Sequence, residues 1–584
     1  MGDGVRRGHR LAGVGLIVIG VLAGCATVPT SGRVGYGRAI GSGAGGLDDS
    51  DVRLLPPAPR PGETPAEIVL GFLAASANFD AGHAIARRFL TPEAAERWDP
   101  DRGITVYDPA GRSLSSAGPA AAGPAQTVTV TAPRVATIAT DGGYTLSPGR
   151  IVTPLRLVRE GSDWRLADVP PGLLLTTTDV QRNLRSVYSY FLDPTQTVVV
   201  ADHVFVRAPA RGRPTALVRA LLDGPSRWLA PAVTTAFPPG TELIGNAPLE
   251  GSVVAVNLSG EAARAGPAAR AAMSAQLVWT LRQLPDVSGV RITIEGSPLE
   301  APGARTVQST SDWPTFDPDG PGVGAGFYFV RDGRLLSLER GPVPGPLGRG
   351  GFTLEHPAVG GLGSDVVAGL RTVGAESVLY VGPVTGVPVP RLRAPRGQLT
   401  VPSVDRSGAV WTVRGGAGAA VVRLPPSGPA TEVPAAELLR LGPTGELRIS
   451  SDGTRVAALV GAAGHRHLVV GRVVVKSAGR PALEGFRAVD AALSAPSSLA
   501  WADGHRVALL AGTGTSSNRA PWLVEADGSL ATTVATTGLP PGGPTALSAG
   551  PADVVLVAAG GSIWRSSGGP WVRIALGSDP TRSR

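Results

Sequence analysis

The spacing of apolar positions changes repeatedly along this chain. From Thr64 onward Ile68, Phe72 and Leu73 recur at helical spacing, behind a threonine N-cap signal with Glu67 three residues on. A second helix is predicted to carry Ile85, Phe89 and Leu90, and a short third to run from Pro92 to Trp98. The period then falls to two in TVTVTAPRVATI, IVTPLRLVRE and DWRLADVP, with a tight turn at Gly161-Ser162-Asp163. Helices followed by strands predict a small α+β module with a curved sheet over residues 61–186. Its His83 is read as a surface helix residue, and no convergent set of ionisable groups stands out.

Residues 187–305 alternate between the two periods. TVVVADHVFVR reads as a strand pair, and TALVRALLDGPSRWLA as an amphipathic helix stopped at Gly224-Pro225. SVVAVNLSG reads as an alternating strand, AARAAMSAQLVWTLRQLPDV as a strong helix, and GVRITIEGSPL as a closing strand. The order predicts a small sheet backed by two helices, with Trp279 and Leu281 in its core. From 320 to 584 short β-rich strings recur at Val366, Ala409, Val456, Val507 and Val554, starting 43, 47, 51 and 47 residues apart. Turn strings such as VDRSG, SSDGT and WADGH precede several of them. A turn and a strand every 40 to 50 residues predict propeller blades, five clear and a sixth closed from both ends of the segment. A pair of unrelated β-sandwiches is the alternative. The predicted class is therefore multidomain, α+β and all-β.

The first 60 residues follow neither period. Arg6, Arg7 and Arg10 precede an apolar run from Leu11 to Leu22, which ends in Ala23-Gly24-Cys25. Charge, a short apolar core and small residues make an export signal over 1–24. The core is about a dozen residues, against about 20 for a membrane-spanning helix. Residues 25–60 are Gly/Ser-rich and then Pro-rich, and read as a flexible tether with an end-to-end distance of roughly 30–35 Å. Gly41 to Gly46 matches G-x-G-x-x-G, but with no strand before it or helix after it the string is linker.

Composition changes the picture little. Charged residues are 17% of the chain and mean hydropathy is +0.13, so it is not a disordered polymer. The formal net charge of +8 comes from scattered Arg with a single lysine, Lys476, and no clustered stripe marks a nucleic-acid surface. Attraction to anionic lipid or cell-wall polymer stays open. The only cysteine is Cys25.

No G-x-S-x-G elbow, P-loop or H-E-x-x-H occurs. His465 and His467 would share one face of a strand, but no third metal ligand is in sight. No catalytic residue, metal or cofactor is expected. An exported hydrolase centred in the propeller would require converging carboxylates or a His–carboxylate pair in its channel. The acidic residues instead fall mostly at turn positions, where Asp bonds to backbone.

Several stretches carry resemblances. Leu22-Ala23-Gly24-Cys25 resembles a bacterial lipobox, which implies cleavage between Gly24 and Cys25 and lipid attachment at Cys25, by S-diacylglycerol and on the amine. The first module resembles the cone-shaped nuclear-transport-factor-like modules of many lipoproteins. ALVRALLDGP, TAFPPGTEL, VVAVNLS and AQLVWTLRQLPDVSGVRITIEGSPL resemble a GerMN domain, a module with no known enzymatic activity. CATVPTSG, PGETPAEIVLGFLAASANFDAGHAIARRFLTPEAAERW and the order of modules are similar to the actinobacterial LpqB lipoproteins along nearly the whole chain. That resemblance implies a lipid anchor on the extracytoplasmic face of the cell membrane. It also implies an accessory role in the MtrA–MtrB two-component system, through contact with the extracytoplasmic sensor part of the kinase MtrB, affecting cell division and envelope state. No family site residue carries over beyond Cys25. A cell-wall polymer scaffold and the exported hydrolase are the alternatives.

Overall fold

A computed structural model describes residues 56–79, 81–117, 123–207, 212–319, 326–361, 364–476, 479–489, 493–514 and 519–583. Gly24, Cys25 and the tether up to residue 55 lie outside the described residues. Among the described residues no helix is long and apolar enough to cross a membrane.

The N-terminal module opens with α1 (Pro65–Ser76). Thr64 and Glu67 close a reciprocal capping box, and Ile68, Val69, Phe72 and Leu73 are buried. The expected second helix is cut short. Gly82 has φ 63° and His83 φ 53°, so α2 spans only Ala84–Arg87. His83 is correspondingly not a surface helix residue. The left-handed turn points it inward, 3% exposed, with its ring edge-on to Phe79 and Trp98 at 5.5 and 5.7 Å. Phe89 and Leu90 leave the helix as well. Pro92 disfavours the α region for Thr91, which instead caps α3 (Pro92–Arg97) and bonds to Leu166.

The sheet of this module holds β1 (Ile104–Tyr107), β2 (Ser113–Ala117), β3 (Ala125–Ile138), β4 (Tyr144–Glu160), β5 (Asp163–Asp168) and β6 (Leu173–Thr176) in the order β5-β4-β3-β1-β6, with β2 also on β3. Register shifts in the β1–β3 and β3–β4 ladders bend it over the helices. The short β1, β2 and β6 lack a readable alternation. After α4 (Thr177–Asn183) the chain enters the second module.

There, TVVVADHVFVR forms one strand rather than a pair. It is β8 (Val199–Val206), and its partner is the preceding β7 (Arg185–Leu192). Asp193 closes the hairpin by accepting from the backbone of Thr195, Thr197 and Val198. Next come α5 (Arg213–Leu222), β9 (Leu249–Glu250), β10 (Val253–Leu258), α6 (Pro267–Leu281), β11 (Gly289–Ile294) and β12 (Ser297–Pro298). Parallel β10 and β11 are joined by α6, as a crossover requires. Every residue of α6 from Ala272 to Leu281 is buried. One face meets the β7–β8 hairpin, where Gln276 and Thr280 bond to the Tyr190 backbone, and another meets β11. The expected single sheet is thus two layers with helix between them, because a helix apolar all round must be covered all round. Trp279 and Leu281 are core, 2% and 0% exposed.

The described residues of the remainder form six four-stranded antiparallel sheets arranged as propeller blades. Glu355–Val359, Ser403–Val404, Thr444–Ile449, Leu493–Trp501, Ala546–Gly550 and Ser578–Arg582 are the innermost strands. The first blade is closed from both ends: the C-terminal Ser578–Arg582 pairs with Phe327–Arg331. The recurring apolar strings are the second strands of the other five blades, buried against both neighbouring blades.

Candidate functional site at the junction of the three modules

The propeller's Asp-Gly turns build the site. Asp452 and Asp503, after the innermost strands, and Asp527, in a later turn, accept backbone N–H bonds from Thr454, from His505 and Arg506, and from Ser529. This is the turn role expected of Asp. Each also has a second partner. Arg455 is buried against Asp452 at 3.2 Å and donates to the carbonyls of Gly504 and, across the module boundary, Ala201 on β8.

The β7–β8 hairpin lies on these turns. His203 Nδ1 is 2.6 Å from Asp527, with side chains 8% and 4% exposed. Tyr188 donates to Glu525 at 2.9 Å, and His505 reaches the same carboxylate at 3.2 Å. The Tyr188 ring lies between His203 and His505, with centroids 4.9 and 4.1 Å away. Trp228 donates to the Gly485 carbonyl, and Arg472 donates to the Trp228 carbonyl at 2.7 Å. The N-terminal module joins through Asp141, which accepts from Arg227 N–H, and through the Tyr144 carbonyl, which accepts from Arg487.

These contacts set the charges. Burial pulls His203 down, but the Asp527 charge and hydrogen bond, with Glu525 and Asp202, outweigh it and raise the imidazole above its ordinary value. Burial raises Asp527, yet His203 and then Arg487 hold it below the usual carboxylate range. Burial raises Asp202 despite its bonds from Ser226. Each member of the His203–Asp527 pair thus favours the charged form of the other.

The two mouths of the propeller channel differ. Near the mouth facing the second module, Asp317 and Asp319 of the inter-module segment approach Asp503 and Arg582. Burial, then the Asp503 charge, pushes Asp319 up to about 7. The folded chain therefore holds a proton that the unfolded chain releases near pH 4, and stability falls as pH rises from about 4 to about 7. Asp319→Asn is expected to raise stability by about 4 kcal/mol at pH 8 and to be neutral at pH 4, read by urea denaturation. Equal effects at both pH values would contradict this.

Toward the starts of the innermost strands, His356 Nδ1 is 2.7 Å from Asp579, on the innermost strands Glu355–Val359 and Ser578–Arg582. This is the His–carboxylate pair that a propeller-centred hydrolase would require. Among the described residues no Ser, Thr or Cys hydrogen-bonds to His356. The His465/His467 pair dissolves: His467 starts a strand, while His465 sits in the preceding turn. No group of three or more His, Cys, Asp or Glu is placed to hold a metal among the described residues.

Family models match three consecutive parts of the chain. They are described as Lipoprotein LpqB, N-terminal domain (residues 58–181), Sporulation and spore germination (188–300) and Lipoprotein LpqB beta-propeller domain (333–581). Lipoprotein LpqB of Thermobifida fusca is 33% identical over 84% of this chain and 85% of its own length. The chain belongs to the LpqB lipoprotein family. Lipoprotein LpqB of Streptomyces coelicolor is 32% identical over 80% of each chain. Among solved structures, the tandem GerMN domains of the sporulation protein GerM from Bacillus subtilis share 17% identity over 26% of this chain and 58% of theirs, with TM-score 0.20.

In this LpqB-family chain the junction residues Tyr188, His203, Arg455, Arg487, His505, Glu525 and Asp527 escaped the sequence reading. The turn strings SSDGT and WADGH mark the propeller side, but only as turns. Nothing local signals that the same side chains meet another module some 250 to 340 residues away.

Proposed function

We propose that this chain is a lipid-anchored extracytoplasmic binding protein that docks on the sensor part of an MtrB-like histidine kinase and modulates its output. The observation that supports it is the architecture. Three modules are locked into one body by charged side chains at their junction, and a lipobox-like Cys25 precedes them by a tether. A surface spanning three modules is what such a body offers a partner; the Ser186 hydroxyl does bond to the Nε2 of the Asp527-paired His203, but that imidazole is buried between modules. The His356–Asp579 pair favours the hydrolase reading, but a pair without a bonded nucleophile is half of that machinery.

Tethering does the energetic work in this scheme. Confinement near the bilayer raises the effective concentration toward a membrane partner to roughly millimolar, so a weak contact is occupied. Two or more acyl chains, each CH₂ contributing about 0.8 kcal/mol, hold the protein where one barely does. Cys25→Ala is expected to release the protein from membranes. In vesicles reconstituted with the kinase it should abolish the effect on autophosphorylation while weak binding to the isolated sensor domain persists. Undiminished regulation by the Cys25→Ala protein would refute the role of the anchor, and no binding by either form would refute the partner.

A further inference from the structure

Between the three modules lies a cavity of about 200 Å³, lined by Tyr144 and Asp141 of the first module, Asp202, His203 and Trp228 of the second, and Arg455, Arg487 and Asp527 of the propeller. Its polar groups can be accounted for one by one. Asp141 accepts from the backbone of Gly143 and Arg227. Asp202 accepts both N–H and hydroxyl from Ser226. Asp527 holds His203 and Ser529. Arg455 is neutralised by Asp452 and bonded to two carbonyls. Every carboxylate on the wall therefore has its own partners.

Arg487 does not. One of its terminal nitrogens donates to the Tyr144 carbonyl at 3.0 Å, and the guanidinium lies 4.0 Å from the centre of the Trp228 ring. Its Nε is sealed from solvent and has no hydrogen-bond partner, and no carboxylate lies within ion-pair distance of it among the described residues. Burial pushes the group down to about 10, against the pull of Asp527 and Asp202. A partly buried guanidinium with carboxylates only at longer range gains from an anion in direct contact with it. Its planar fork matches a carboxylate or phosphate. A cavity of about 150 Å³ already accommodates a benzene ring, so this one has room for an anion of roughly six to ten heavy atoms.

We propose that the junction cavity binds a small anion bearing a carboxylate or phosphate group, held by Arg487, and that its occupancy tightens the union of the three modules. An anion seated on Arg487 lies beside the Tyr144 carbonyl and the Trp228 ring, so it bears on all three modules at once. This ligand site is independent of the kinase contact.

The test uses the full-length protein in detergent micelles, titrated calorimetrically with inorganic phosphate, acetate and succinate at constant ionic strength. A saturable site for at least one of these anions is expected, together with slower proteolysis between the modules when it is filled. Phosphate alone binding assigns a phosphoryl ligand, and acetate or succinate alone a carboxylate. Arg487→Gln should weaken binding roughly tenfold to a hundredfold, the usual range for losing a charged hydrogen bond. Arg487→Lys, which keeps the charge but loses the fork and Nε, should weaken it about tenfold even if the Gln variant fails to fold. No saturable binding of any of the three anions, or wild-type affinity in either variant, overturns the proposal.

Discussion

Replacing Arg455 by methionine is expected to destabilise the body by about 3–5 kcal/mol, the range for breaking a buried ion pair from one side. The Arg455 and Asp452 side chains are 4% and 0% exposed. Methionine fills much of the volume but leaves the Asp452 carboxylate uncompensated. That carboxylate also organises its own turn through Ser450, the Thr454 hydroxyl and the Thr454 N–H. Because Arg455 reaches the Ala201 carbonyl, the loss should also weaken the union of the propeller with the second module. The double variant Arg455→Met/Asp452→Asn should recover part of the loss, since removing both charges costs less than removing one. Urea denaturation followed by tryptophan fluorescence reads both effects. A loss below about 1 kcal/mol for the single variant would mean that the Asp452 carboxylate is not stranded.

Trp279→Ala should cost a similar 3–5 kcal/mol, by a different route. Trp279 is 2% exposed on α6, with its ring centroid 5.9 Å from that of Tyr190 and the Arg282 guanidinium 3.7 Å from the ring centre. The helix is covered on both sides by its own module, so little can collapse into the space left behind. This cost is a packing cost and should change little between pH 5 and 8, whereas the His203–Asp527 contribution does not share that property. His203 is raised above its ordinary value, so its contribution is present below about 6.5 and is lost as pH rises through the folded value. Equilibrium denaturation of Trp279→Ala at the two pH values makes the comparison. A small stability loss accompanied by lost partner binding would move Trp279 from core to recognition surface.

Much of the architecture was legible because its signals are local. The Thr64–Glu67 capping box, the helical spacing of α1 and the recurrence of apolar strings from Val366 to Val554 are set by neighbours in sequence, and the structure places them as helix start, helix face and second strands of the blades. Where one local rule competes with another, periodicity alone misleads. Phe89 and Leu90 have helical spacing, but Pro92 governs the backbone just ahead of it and draws that segment to the Leu166 strand instead. The single-strand nature of TVVVADHVFVR was hidden because its partner, RSVYSYFL, mixes polar and apolar residues that only the α6 packing sorts into faces.

The sequence by itself determined the module order, the recurrence of blade-like units, the core role of Trp279 and Leu281, and the turn role of the Asp-Gly strings, while the count of six blades came from the structure. These depend on periodicity, turn chemistry and hydrophobicity, which act over a few residues at a time. Only the tertiary structure decided that His83 turns inward, that His356 meets Asp579 across the propeller closure, and that Asp527 serves His203 as well as its own turn. It alone left the Nε of Arg487 without a hydrogen-bond partner. The reason is that a side chain's partner across hundreds of residues depends on how whole layers stack. The same aspartate is a solvated turn residue or half of a buried ion pair according to what is laid upon it, and its local sequence is identical in both cases.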